Sequence, residues 1–435
     1  MKVPPQILKV WLLILVLGAS AGPAFALDAA AGVLRVGAVK VDITPDDPSG
    51  LTNLYQTPFT GVRDRIYARG VFLDNGVTSA AIISIDTVEI TDGTAMVAHI
   101  SRETGIPTSN IIMAATHDHQ APMISLQNAN GSWKAGPAAT AFVAKVENDL
   151  VAALKHAKAN AQPARIGIGS GRADVSINRD LLTPAGTYRL GRNPDGPSDK
   201  TVWVVKFETP AGEPIAVLIN YAVHGTVLGS KTSLLSGELP GATSRFVEDH
   251  YNGKVVAVWT SGAAGDQAPI VTMPDSKQPN AERNFAVLDV LGQILGTEAI
   301  RVADAIKDTN SQIRLWGTEK TVTCPGQKVE PGPQGTPRKI MDADPVNFRL
   351  SLLMIDQTAI TSVSSEVVTN IYQRLRKESP YPNTILITLA NGRIGYLPED
   401  ASYANPTFEV YASPLKKGCG ESTLVNGLVN MMKEY

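Results

Sequence analysis

The chain is poor in cysteine: its 435 residues include only Cys324 and Cys419. Two thiols that far apart make neither a disulfide framework nor a cysteine-rich structural zinc site. They can pair in an oxidising compartment or stay buried and free, and the sequence leaves both open. An excess of one charge is lacking as well, since 39 Lys and Arg stand against 41 Asp and Glu. A formal net charge of −2 gives no electrostatic reason to expect nucleic acid or an anionic membrane as partner. No H-E-x-x-H occurs, which excludes the helical zinc motif of the metalloproteases. A Walker loop and a strand-linked G-x-G-x-x-G are missing too. The one G-x-S-x-G, Gly18-Ala19-Ser20-Ala21-Gly22, lies in a leader-like stretch, so no nucleophile elbow remains beyond it.

What is present begins with that leader. Lys2 and Lys9 supply positive charge, Trp11 to Leu17 an apolar core, and Ala24-Phe25-Ala26 an A-x-A cleavage site. Residues 1–26 therefore read as a signal peptide, with the mature chain starting near Leu27 and exported to the periplasm or beyond. The stretch holds no cysteine for lipid attachment, and no other run is apolar enough to span a bilayer. Residues 27–435 are expected to form one domain. With 43% hydrophobic and 18% charged residues the chain has the composition of an ordinary globular protein with ample core.

Along the chain, strands and helices alternate. Strands are expected at Val33 to Thr44, within Arg63 to Phe72, and at Ser79 to Asp86, with a turn at Asn75-Gly76. A short helix follows at Ala95 to Gly105, then the apolar run Ile111 to Ala115. Phe142, Val146, Leu150 and Leu154 recur at helical spacing, which predicts an amphipathic helix over Thr140 to Ala159. Further strands are expected at Ala164 to Ser170 and Thr201 to Phe207, either side of a loop, and at Ile215 to Val223, Lys254 to Thr260 and Ala359 to Val363. Helices fall at Pro240 to His250, Asn284 to Ile306 and Ser422 to Lys433. Cys324 to Asp344, with four prolines and three glycines, reads as a surface loop, and Asn391-Gly392 as the turn of a hairpin joining Asn383–Ala390 to Arg393–Leu397. The expected fold is α/β, a single large domain with a mixed β-sheet core flanked by helices.

The chemistry-bearing residues sit where apolar strands end. Ile111 to Ala115 runs into Thr116-His117-Asp118-His119, and two histidines two apart on an extended chain can point the same way. They suit a borderline metal such as zinc, or one caps the strand while the other bonds a neighbour. Other strands run into His224, Asp266 and Glu366, and Tyr396 lies in the last hairpin. Two His, one carboxylate and an open position is a catalytic rather than a structural zinc arrangement. Gly262 to Gly265 can form a backbone nest for an oxyanion or serve as a tight turn before Asp266. His99, His156 and His250 lie on helical stretches, where solvated or packing roles are expected.

Taken in order, these segments resemble the neutral/alkaline non-lysosomal ceramidases in their N-terminal catalytic domain. Val41-Asp42-Ile43-Thr44-Pro45 is similar to the family's opening D-I-T segment. Gly61-Val62-Arg63-Asp64 through Arg69, and Ile83-Ser84-Ile85-Asp86, are similar to its next two blocks. Ala115-Thr116-His117-Asp118-His119-Gln120-Ala121-Pro122 resembles A-T-H-x-H-S-x-P, and Ile177-Asn178-Arg179 resembles I-N-R. Tyr221-Ala222-Val223-His224 resembles the second zinc-histidine segment, Gly265-Asp266-Gln267-Ala268-Pro269 the G-D-x-S-P motif, Ser365-Glu366 the P-G-E, and Gly395-Tyr396 the late G-Y block. The resemblance implies a zinc ion held by His117, His224, Glu366 and Tyr396. It further implies His119 as proton carrier, Arg179 as partner of the substrate carbonyl or oxyanion, and Asp266 as a third catalytic residue. Ala268 stands where the family has serine, Ser364-Ser365 where it has Pro-Gly, and no immunoglobulin-like C-terminal domain is expected after Tyr396. These departures bear on the substrate rather than on the ligands.

The function expected is a zinc-dependent hydrolase acting on a linear amide, such as N-acyl-sphingosine or a related N-acyl compound, through activated water. An esterase or phosphoesterase on the same scaffold, or an exported binding protein without turnover, are the alternatives. The partner is a small or lipid-like N-acyl substrate, with no nucleic acid.

Overall fold

The expected α/β domain with a mixed β-sheet core forms, its apolar runs making up three main mixed sheets. The computed structural model describes Met1 and residues 30–91, 93–126, 134–230, 232–271, 281–330 and 338–435. The expected signal peptide lies outside the described residues. The first sheet orders Ile111–Ala115, Ser79–Ile85, Tyr67–Asp74, Arg35–Asp42 and Gln162–Pro163. The second orders Val256–Ser261, Pro214–Tyr221, Thr201–Glu208 and Arg165–Arg172. The third orders Ala31–Val33, Gln312–Glu330, Lys339–Ile355, Thr358–Val363 and Asn383–Ile387.

Each sheet contains one parallel pair among antiparallel neighbours: Ser79–Ile85 with Ile111–Ala115, Pro214–Tyr221 with Val256–Ser261, and Thr358–Val363 with Asn383–Ile387. A parallel pair needs a crossover, and a helix supplies it each time: Gly93–Thr104, Glu238–His250 and Thr369–Glu378. The inner faces of the three sheets share one core, where Ile82 and Ile112 meet Val205, Leu218 and Val258, and Leu353, Ile360 and Ile387. The outer faces are covered by helices. Pro137–Ala159 buries Phe142, Val146, Leu150 and Leu154 on the first sheet, Ala281–Ala305 packs on the second, and Gly420–Glu434 on the third. Strands buried on both faces read as continuous apolar runs, which is why they were legible in the sequence.

Three expectations are corrected. Cys324 to Asp344 is not a loop but part of a long antiparallel ladder between Gln312–Glu330 and Lys339–Ile355. Pro325 and Gly326 mark a register shift there, and the remaining prolines and glycines of that stretch lie at 331–337, outside the described residues. The presumed loop between Ser170 and Thr201 carries the paired strands Ser176–Leu182 and Tyr188–Asn193. The hairpin around Asn391-Gly392 does not form. Both residues do adopt positive φ, but Asn383–Ile387 pairs with Thr358–Val363, and Tyr396–Leu397 pairs in parallel with Glu366–Val367. Asn391 instead turns its side chain to the Met113 N–H and the Ile111 carbonyl.

Cys324 and Cys419 are joined by a disulfide, which resolves the alternative left open above and ties the long ladder to the start of the last helix. Among the described residues, no helix is long and apolar enough to cross a membrane.

Candidate metal centre

The site forms where the carboxyl ends of the three parallel pairs meet. This is the usual ligand position of parallel α/β sheets. The first strand stops at Ala115, and His117 adopts φ +64°, a left-handed backbone rare for a non-glycine residue. Backbone bonds from Thr116 to Ile85 and from Asp118 to Thr87 hold it there. His117 and His119 therefore converge through a turn, not through strand alternation. Gly225, just after His224, bridges to Asp118, and a side chain there would meet the His117 carbonyl at 2.7 Å. Glycine is required for that approach.

His117, His119 and His224 are buried, and their ligand nitrogens lie within 4.8 Å of one another, so the three form a cluster able to hold a metal ion. Glu366 also belongs to the convergence. Its Oε2 lies 3.2 Å from His117 Nε2 and 3.4 Å from His224 Nε2. Tyr396 places its hydroxyl 3.3 Å from His224 Nε2. The four ligand positions implied by the sequence resemblance thus face one centre, with His119 Nε2 3.4 Å from His117 Nε2.

The donor set fits a cation. His117 Nδ1 faces the Val88 carbonyl at 3.0 Å, and His224 Nδ1 the Gln267 carbonyl at 2.9 Å. A carbonyl only accepts, so each Nδ1 carries a proton and each ring turns its Nε2 inward. The Glu366 oxygen they face is buried and has no hydrogen-bond donor. Its other oxygen is held by Arg393 at 3.1 Å, and Arg393 is anchored in turn by Glu89 at 2.9 Å. Two ring nitrogens and a carboxylate oxygen aimed together call for a positive charge between them.

Electrostatics agree. Burial pushes the His224 imidazole down to about 3, helped by Arg179 and His117, and pushes His119 well below its ordinary value, helped by His117 and His224. Both rings stay neutral, as metal ligands or proton acceptors must. Burial alone would raise Glu366, but the positive charge around it, Arg393 included, holds it well below the usual carboxylate range.

Around this centre, His119 Nδ1 meets the Tyr55 hydroxyl at 3.0 Å. Arg179 directs Nη1 to His224 Nε2 and Nη2 to the Tyr396 hydroxyl, both at 3.1 Å. Asp266, expected among the catalytic groups, has its carboxylate elsewhere. Oδ1 accepts from the Thr369 N–H at 2.9 Å and hydroxyl at 2.8 Å, and Oδ2 accepts from Asn178 at 3.0 Å. Its carbonyl accepts the Arg179 N–H, so its bearing on the centre is to place Arg179. Gly262 to Gly265 is a turn. The Gly262, Ala264 and Gly265 N–H groups are bonded to carbonyls, and Gly265 lies against Val367. His99 pairs with Glu147, away from the centre.

Sequence reasoning missed Tyr55 and Arg393. Neither directly follows an apolar strand, so strand-end logic passes over them. Only Arg393, three residues before Tyr396, had a positional cue.

Comparison with known proteins follows the same lines. Residues 35–289 match the family described as neutral/alkaline non-lysosomal ceramidase, N-terminal. That stretch includes His117, His119, Arg179, His224 and Asp266 and ends before Glu366 and Tyr396. Neutral ceramidase A of Dictyostelium discoideum is 27% identical over 266 residues, 54% of this chain and 36% of that protein. Neutral ceramidase 1 of Arabidopsis thaliana is 30% identical over 113 residues, 26% of this chain and 14% of that one. The matched stretch thus spans about a third or less of these relatives' own length. Among solved structures, a ceramidase complexed with C2 superposes with TM-score 0.75 at 18% identity, covering 92% of this chain and 75% of that one. Neutral ceramidase from Pseudomonas aeruginosa superposes with TM-score 0.72 at 16% identity, covering 92% and 74%. These superpositions establish a shared fold.

Proposed function

This chain belongs to the neutral/alkaline non-lysosomal ceramidase family, and we propose that it is an exported, zinc-dependent hydrolase of N-acyl compounds. The observation carrying this reading is the convergence of His117 Nε2 and His224 Nε2 on the donor-less Glu366 Oε2. His117, His224, Glu366 and Tyr396 would hold the zinc, and the mixed nitrogen–oxygen set without cysteine suits a catalytic site. Zinc held there supplies Lewis acidity and a water that ionises near pH 7 (about 7, against 15.7 in bulk).

The chain's own residues supply the rest. Arg179, whose Nη1 and Nη2 lie against His224 Nε2 and the Tyr396 hydroxyl, brings its positive charge to where negative charge gathers on the substrate carbonyl oxygen. His119, buried and neutral, takes the proton from the attacking water and returns it to the departing amine nitrogen as the C–N bond breaks. One water and one amide are consumed, and a carboxylate and a protonated amine are released. Tyr55 orients His119 from the Nδ1 side. Export is supported by the leader-like sequence and by the Cys324–Cys419 disulfide, which suits an oxidising compartment.

The test pairs metal analysis with a panel of N-acyl, O-acyl and phosphate-ester substrates, ceramide included. One zinc per chain and turnover of N-acyl substrates is expected. Turnover of esters or phosphoesters alone would reassign the chemistry, and stoichiometric zinc with no turnover would make the protein a binder.

A further inference from the structure

The guanidinium of Arg179 is itself held by a residue with no role so far. Glu409 sits on the short helix Phe408–Tyr411 and is fully buried. Its Oε1 accepts from Arg179 Nε at 3.0 Å and from Nη2 at 2.9 Å. The same guanidinium lies over the ring of Phe408 at 5.3 Å and of Tyr396 at 5.4 Å, and those two rings meet edge-on at 5.6 Å. A planar fork of five donors pinned on one edge and against two rings has little freedom left. Nη1 and the same Nη2 are what reach His224 and Tyr396.

Charge makes the same point. A buried guanidinium needs a counter-ion, because an unpaired charge out of water is costly. Glu366 is engaged by Arg393 and by the two histidine nitrogens. Glu409 is the carboxylate in direct contact with Arg179. Its second oxygen and Asp180 Oδ1 are both buried without a donor, and the Asp180 carboxyl faces Glu409. Burial and the neighbouring Glu409 carboxylate push Asp180 up to about 8.

We propose that Glu409 is a positioning residue that fixes where Arg179 stands relative to the reacting carbonyl, so that its charge governs turnover more than substrate binding. This rests on reading Arg179 as the oxyanion partner. Glu409 has no hydrogen bond to the histidine cluster and acts only through Arg179.

Glu409→Gln is the informative variant. It keeps an acceptor oxygen for Arg179 and offers an N–H to Asp180, so the fold is retained while the charge is lost. We expect kcat to fall about 10–100-fold with KM within about twofold, the range seen when orienting partners are removed. In a double-mutant cycle with Arg179→Lys, the double variant should be no slower than Arg179→Lys alone. Exchange of the Arg179 Nε–H, followed by NMR in metal-free protein, should accelerate at least about tenfold in Glu409→Gln, an opening-equilibrium shift of that size. Unchanged kcat with accelerated exchange would show that Glu409 holds Arg179 to no catalytic end, and additive kinetic losses would show an independent role. Either overturns the proposal. If the wild type turns over no substrate, the functional reading fails by itself. Exchange then still decides whether Glu409 fixes Arg179: an unaccelerated rate sinks this proposal too.

Discussion

Glu366 and Tyr396 are register partners in a two-residue parallel ladder, Glu366–Val367 against Tyr396–Leu397, closed by the Glu366 N–H bonding to the Gly395 carbonyl at 2.9 Å. Side chains paired in register leave a sheet on the same side, so both reach one centre. Gly395 allows this with φ +104°, and a Cβ there would lie 3.1 Å from the Ala412 carbonyl. Gly395→Ala should therefore cost about 1–3 kcal/mol of stability and displace Tyr396. Denaturant unfolding and zinc titration check it. A variant with wild-type zinc affinity would mean that the ladder does not place a ligand.

Removing a ligand tests the centre directly. His117→Ala takes away one inward Nε2 and leaves Glu366 Oε2 facing a single ring. Bound zinc, measured by elemental analysis after dialysis, should fall below about a tenth per chain, because each lost ligand costs several kcal/mol of a binding energy of ~10–16 kcal/mol. Hydrolysis should fall with it. Stoichiometric zinc in this variant would remove His117 from the ligand set.

The metal-free protein should lose stability as pH falls. His224 has a folded value of about 3 against 6.5 when free. Above pH 6.5 both states are neutral and stability is full. Below it the unfolded chain binds a proton that the folded chain does not, so stability declines by up to ~1.4 kcal/mol per pH unit for that group down toward pH 3. His119 is shifted in the same direction and adds to the slope. Urea unfolding of wild type and His224→Gln between pH 6.5 and 5 should give a shallower slope in the variant. Identical slopes would mean that His224 is not buried neutral.

The disulfide should matter for stability and not for chemistry. Cys324 and Cys419 are 95 residues apart, and closing a loop of that size contributes up to ~4–5 kcal/mol in the chain-entropy view, with typical effects of about 2–4. The double replacement Cys324→Ser with Cys419→Ser should lower unfolding free energy in that range. Its kcat, measured well below the melting temperature, should stay within about twofold. A larger loss would tie the long ladder to the site.

Much of the site was legible locally because it is built at strand ends. Ile111 to Ala115, Pro214 to Tyr221 and Thr358 to Val363 are buried on both faces, so they appear as apolar runs, and a polar residue just past such a run stands at the mouth of a sheet. His117, His224 and Glu366 were all found that way. Amphipathic spacing likewise located the long helices to within a few residues, since one face of each must meet a sheet.

By itself the sequence determined most of the strands and helices, though not the ladder through Cys324 or the strands Ser176–Leu182 and Tyr188–Asn193, and it determined which polar side chains would stand at the ends of apolar strands, because burial and periodicity are local properties of the chain. Tertiary structure alone decided that the long strands divide into three main sheets with one parallel pair each, beside smaller two- and three-stranded ones, and that Asn383–Ile387 pairs with Thr358–Val363 instead of folding back at Asn391. It also decided that Arg393 grips Glu366, that Glu409 grips Arg179, and that Asp266 spends its carboxylate on Thr369. Those contacts join segments far apart in the chain. Their energies come from charges and hydrogen-bond groups meeting in a dry interior, and no local pattern of residues encodes which distant group will be there to meet them.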